Sequence, residues 1–131
     1  GLAGAHNLQI TSDGTALVND TWGRAVRFYD LSAGESLQTI DLTRYRWVRK
    51  LMRWKTPPYW GRELARKVGL RDHSVARPLF VRGLVKQGPN LFVGVSPAAI
   101  LQIDWQSEEL VDAYQYSADV NECIHGLEII P

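Results

Sequence analysis

AHNLQITSDG at residues 5–14, VRGLVKQGPN at 81–90 and IHGLEIIP at 124–131 are three copies of one phrase. Each sets a polar pair before a Leu and then alternates apolar residues. After the first two copies come a turn and a second apolar run, TALVND at 15–20 and LFVGV at 91–95. A recurring phrase of this kind marks stacked, blade-like units, each too small to bury its own apolar face.

The spacing supports this reading. From Arg82 to His125 is 43 residues, the length of one four-stranded blade. From His6 to Arg82 is 76, and the surplus lies in residues 44–78, whose composition differs from everything around them. We therefore expect a mainly β chain with three parts: 1–43 as blade one, 44–78 as a basic helical insertion, and 79–131 as blade two plus the first strand of a further blade. Blade one has strand candidates at about 6–11, 15–20, 25–30 and 37–42, and blade two at about 80–86, 90–95, 99–104 and 110–116. Asp13-Gly14 is a hairpin signal between the first pair. Asp30 and Asp104 each precede a turn.

Two and a quarter blades do not close a propeller, which typically needs about four to eight. The sequence thus implies either self-association into a closed ring, such as a trimer, or the remainder of a longer chain. Unprotected edge strands would otherwise invite aggregation.

Composition excludes several classes. The 131 residues are 45% hydrophobic, enough for one core. No apolar run reaches the length of a membrane span, and no secretory leader is visible, which leads us to expect a soluble, cytoplasmic protein. The single Cys123 rules out an internal disulfide and reads as a space-filling thiol. There is no CxxC, HExxH or phosphate-loop motif. The net charge of +1 is unevenly spread: residues 1–43 carry −3, residues 44–78 carry +9 and residues 79–131 carry −5.

Within the insertion, RYRWVRKLMRWK at 44–55 has helical periodicity. Trp47, Val48, Leu51, Met52 and Trp54 share one arc, and Arg46, Arg49, Lys50 and Arg53 the opposite one. Thr43 is the candidate N-cap. A second helix is expected over 58–68, with Arg62, Arg66 and Lys67 outward. The plainer reading packs the Trp-rich stripe on the sheets. The sharper ones bring the basic face to an anionic membrane surface, an acidic partner or nucleic acid.

The stretch SDGTALVNDTWGRAVRFYDL at 12–31 resembles a blade of the six-bladed propellers, the superfamily of the gluconolactonase, paraoxonase and strictosidine-synthase families and the NHL-repeat proteins. Arg82-Gly83-Leu84 and Leu91-Phe92-Val93-Gly94-Val95-Ser96 are similar to phrases of a bacterial family of TPR-linked propellers. The resemblance covers about 6–42 and 79–130. It implies that polar residues of the innermost strands face a central channel: His6, Arg82 and His125, with Asn7, Asn19 and Asp20 near the same end and Glu128 further off. Enzymes of the superfamily hold calcium there with Asn, Asp and Glu. His and Arg depart from that oxygen set. The candidates are an anion or small-molecule site on Arg82 with the histidines, a metal ion at the channel, or plain hydrogen bonding between strand ends. No cofactor is predicted. No complete catalytic set is visible, so a self-assembling, non-enzymatic binding scaffold is the leading functional expectation. A lactonase- or esterase-like hydrolase and an insert-driven binder are the alternatives.

Overall fold

The computed structural model describes residues 4–53, 79–119 and 122–130. It contains two four-stranded antiparallel sheets with identical meander order. The first comprises β1 (Ala5–Ile10), β2 (Thr15–Asp20), β3 (Ala25–Asp30) and β4 (Glu35–Asp41). The second comprises β5 (Gly83–Gln87), β6 (Asn90–Val95), β7 (Ala99–Asp104) and β8 (Glu109–Gln115). All eight lie within three residues of the expected boundaries.

Turn chemistry fixes these boundaries. The Asp30 carboxylate accepts from the backbone N–H groups of Ser32 and Ala33 at 2.7 and 3.1 Å. Asp104 does the same for Gln106 and Ser107 at 3.0 Å each. Side-chain turns of this kind end a strand by offering its backbone an alternative partner. The left-handed position of this turn is Gly34 in the first sheet, at φ 69°, and Glu108 in the second, at φ 56°. A non-glycine residue there costs about 1–2 kcal/mol, so Glu108 must be held by other contacts. A bulge follows at the same point of each sheet, between Phe28 and Tyr29 and between Gln102 and Ile103. It turns Leu37 and Val111 outward, both more than half exposed.

Period-2 alternation sends Leu17, Val26, Phe28 and Ile40 of the first sheet and Leu84, Leu91, Val93, Leu101 and Ile103 of the second into one shared core. Phe28 stacks on Trp105 across it, with ring centroids 5.7 Å apart. The sheets therefore pack face to face, like successive blades. The first sheet also satisfies the open edge of β5. The Gln9 side-chain amide accepts from Lys86 N–H at 2.7 Å and donates to Lys86 O at 3.3 Å, standing in for a neighbouring strand. Asn19 Nδ2 donates to Gly83 O at 3.1 Å, and Thr21 Oγ1 to Val81 O at 2.7 Å. Unpaired edge groups buried without partners would each cost about 1–3 kcal/mol, which these side chains avoid.

After β4 the chain makes a 3-10 turn, Leu42–Arg44, and then α1, Arg46–Arg53. The continuous helix expected from residue 44 is thus broken at Tyr45. Asp41, not Thr43, caps the turn: its carboxylate accepts from Thr43 N–H at 2.8 Å. Val48 and Leu51 are buried in the core and Trp47 and Met52 pack against it, while Arg46, Arg49 and Lys50 are exposed. The plainer reading of the helix face therefore describes these residues. Arg53 ends α1, and the second helix with Arg62, Arg66 and Lys67 falls outside the described residues. No helix among the described residues is long and apolar enough to cross a membrane.

Residues 122–130 form no ladder, contrary to the expected extra strand. They nevertheless lie on the outer face of the second sheet. A Cβ built on Gly94 would sit 2.7 Å from Ile124 Cγ2, and one on Gly83 would sit 3.0 Å from Leu127 Cγ. The phrase thus lies against β5 and β6 on that face without a hydrogen-bonded partner strand.

Candidate functional site

The three copies of the repeated phrase converge at one end of the inner strands. A bulge between His6 and Leu8 sets Asn7 at φ 48° and breaks the alternation of β1. Asn7 Nδ2 reaches His125 O at 2.9 Å, tying β1 to the segment 122–130. His6 packs against Phe80, with centroids 5.9 Å apart and the rings tilted by 47°. Residues 79–82 run beside β6, with Arg82 N–H donating to Gly94 O at 2.9 Å.

Arg82 is the centre of this group. Its guanidinium carbon lies 4.3 Å from the Phe80 ring centroid, a cation–π stack. Its Nη1 lies 3.1 Å from His125 Nδ1. A guanidinium only donates, so Nδ1 is the acceptor in this contact. The His125 side chain is exposed. Arg82 Nε is buried with no hydrogen-bond partner. No ion pair links Arg82 to a carboxylate among the described residues.

Cys123 closes the group. Its thiol hydrogen-bonds to Phe80 O at 3.5 Å and to its neighbour's carbonyl at 3.9 Å. Burial pushes the thiol up from its ordinary value of 9.0, against a smaller downward pull from the Arg82 charge. A thiol held protonated and bonded to carbonyls is a poor nucleophile.

The structure thus brings together His6, Asn7, Arg82 and His125, as the repeat alignment implies. It separates Asn19 and Asp20 from them in role. Asn19 is fully buried and serves Gly83 between the sheets. Asp20 is buried too, accepting from Gly23 N–H at 2.9 Å and pairing with Arg27 Nε at 2.7 Å. Glu128 is exposed on the segment 122–130. Phe80 and Cys123 belong to the group and were missed. Phe80 lies two residues before Arg82, a spacing that puts two side chains on one side of an extended chain.

Among the described residues, no group of three or more His, Cys, Asp and Glu side chains comes together to hold a metal ion. The donors that do gather are a guanidinium, two imidazoles and an amide, a set suited to an anion rather than to a hard cation.

A second polar cluster joins the sheets near their outer strands. Glu108 accepts from Gln38 Nε2 at 2.9 Å and pairs with Arg44. Its carbonyl accepts from Tyr45 Oη at 3.0 Å. These contacts explain why the left-handed turn position keeps a charged side chain.

The fold defines a pair of consecutive, blade-like antiparallel meanders. In comparisons with known proteins, no family model and no curated protein matches the chain.

Proposed function

We propose that the two sheets are successive blades of a β-propeller that serves as a self-assembling, non-enzymatic binding scaffold. The observation that carries this reading is the repeated packing relation. Polar side chains of the first sheet satisfy the edge of β5, and the segment 122–130 lies against Gly83 and Gly94 on the outer face of the second sheet. Each inner-strand phrase therefore sits on the sheet before it.

The outer faces support assembly. Leu8 and Ile10 on the first sheet are 61% and 58% exposed. Val111 and Tyr114 on the second are 57% and 62% exposed, with Tyr114 edge-on to Tyr116 at 4.6 Å. Apolar sheet faces of this kind stack on another sheet about 10 Å away. Copies of this chain supply that cover, each placing its first sheet on the second sheet of its neighbour, in a heterologous contact that closes into a ring. The likeness of the 12–31 stretch to six-bladed propellers favours three protomers.

Light scattering coupled to size exclusion, run over a wide range of concentration, tests the assembly. A limiting mass of three chains is the expected result. A mass fixed at one chain at every concentration would refute self-assembly.

A further inference from the structure

We infer that the cluster of His6, Asn7, Arg82 and His125 is a binding site for a small molecule carrying a phosphate group. This deepens the scaffold reading, but every donor comes from a single chain, so the site does not need ring closure and the two proposals fail separately.

Three observations support it. First, Arg82 is held without a carboxylate partner among the described residues, and its Nε is buried without a hydrogen bond. A guanidinium with donors to spare is costly to keep in that state, and an oxyanion remedies it. Second, the charge is pre-positioned. The stack on Phe80 at 4.3 Å and the bond to His125 Nδ1 at 3.1 Å fix the plane of the fork before any ligand arrives. Little rotamer entropy is then lost on binding. Third, His125 sits at the Arg82 fork, and His6 packs against the same Phe80 ring on which Arg82 stacks. Donors thus come from three separate stretches of chain: β1, the residues before β5, and 122–130. A guanidinium and two imidazoles, with no carboxylate paired to Arg82 among the described residues, suit the doubly charged phosphate monoester better than a singly charged carboxylate.

Asn7 is the positioning residue. Its bond to His125 O holds the segment 122–130 beside β1 and so keeps His125 within reach of Arg82. Its loss acts through His125 rather than on the ligand.

The test is a titration of the full chain with inorganic phosphate at constant ionic strength, following the imidazole resonances of His6 and His125 by NMR, with chloride and acetate as parallel titrants. The expected result is a saturable shift of both imidazoles with phosphate, a weaker response to acetate and none to chloride. Arg82→Gln is expected to weaken phosphate at least tenfold. Should Arg82→Gln fail to fold, the exposed His125→Ala keeps the question open to decision, with an expected loss of several-fold. Asn7→Ala is expected to weaken phosphate and to shift the His125 resonance even before phosphate is added. Equal responses to chloride and phosphate, tighter binding of acetate, or unchanged phosphate affinity in both Arg82→Gln and His125→Ala would overturn the inference.

Discussion

Gly94→Ala is expected to release the segment 122–130 from the second sheet while leaving that sheet intact. Gly94 lies inside β6 at a backbone angle any residue can adopt, so alanine imposes no strain on the strand. The obstruction is external. The added Cβ would lie 2.7 Å from Ile124 Cγ2 and 2.8 Å from both Ile124 Cβ and the Ile124 carbonyl oxygen. Because backbone is among these atoms, a rotamer change in Ile124 does not relieve the clash. Ile124 and Leu127 are both half-buried. Fully burying such a side chain is worth about 1.5–3 kcal/mol, so together the two half-buried ones contribute about 2 kcal/mol. Losing that much raises the undocked population by roughly 30-fold. Cys123 lies in the same segment and is the single thiol of the chain, so its labelling rate with an aromatic disulfide reports docking directly. Undocking also removes the burial that raises the thiol's pKa, which adds to the thiolate fraction at a given pH. The expected outcome is a labelling rate up by about tenfold or more, an unchanged rate for the denatured chain and a nearly unchanged melting temperature. A labelling rate equal to wild type would show that 122–130 does not rest on Gly94, and the inner-strand reading of that segment would fall with it.

Two further outcomes follow from the turns. Glu108→Gly relieves the left-handed strain but removes the contacts to Gln38 and Arg44, whereas Glu108→Ala loses the contacts and keeps the strain. The alanine variant should therefore be the less stable of the two by about 1 kcal/mol in urea denaturation; equal midpoints would contradict the strain argument. The Asp30 carboxyl is held below its ordinary 3.8 by the Ser32 hydroxyl and then by the backbone N–H groups of Ala33 and Ser32. That of Asp104 is held below 3.8 first by Ser107 N–H and then by Gln106 N–H. A carboxyl whose folded value is lowered stabilises the fold above its unfolded value, and the contribution is lost as pH falls through the lower folded value. The melting-temperature gap between wild type and Asp30→Ala/Asp104→Ala should then narrow as pH drops below 3.8, and a gap constant with pH would contradict this.

The strands were legible because two local signals agree: apolar alternation and turn residues placed where each strand must stop. Asp30 and Asp104 show this, since each carries its turn in its own side chain. The segment 122–130 misled because its pattern is that of a strand. A pattern specifies a face, while a ladder also needs a second strand, and among the described residues none pairs with 122–130. The site was half legible. Repeat alignment placed His6, Arg82 and His125 together, because equivalent positions of stacked sheets converge at one end. Asn19 and Asp20 are adjacent on β2 and so serve different partners, Asn19 bonding Gly83 of the second sheet and Asp20 bonding Gly23 and Arg27 of its own, which the pattern alone does not reveal. Gln9 and Gln38 gave no signal at all. In the sequence they are ordinary polar residues, and only face-to-face packing brings one amide to the open edge of β5 and the other to the turn at Trp105 and Glu108.

The docking of 122–130 on its own sheet has a kinetic consequence. A short tether holds a segment at an effective concentration on the order of millimolar beside its target. A neighbouring copy that brings its own β1 to the same place competes at micromolar concentration, a disadvantage of roughly a thousandfold. The chain therefore carries a plug for the face through which it would assemble. Substitutions that loosen the plug, Gly94→Ala foremost, would lower the concentration at which the proposed rings form.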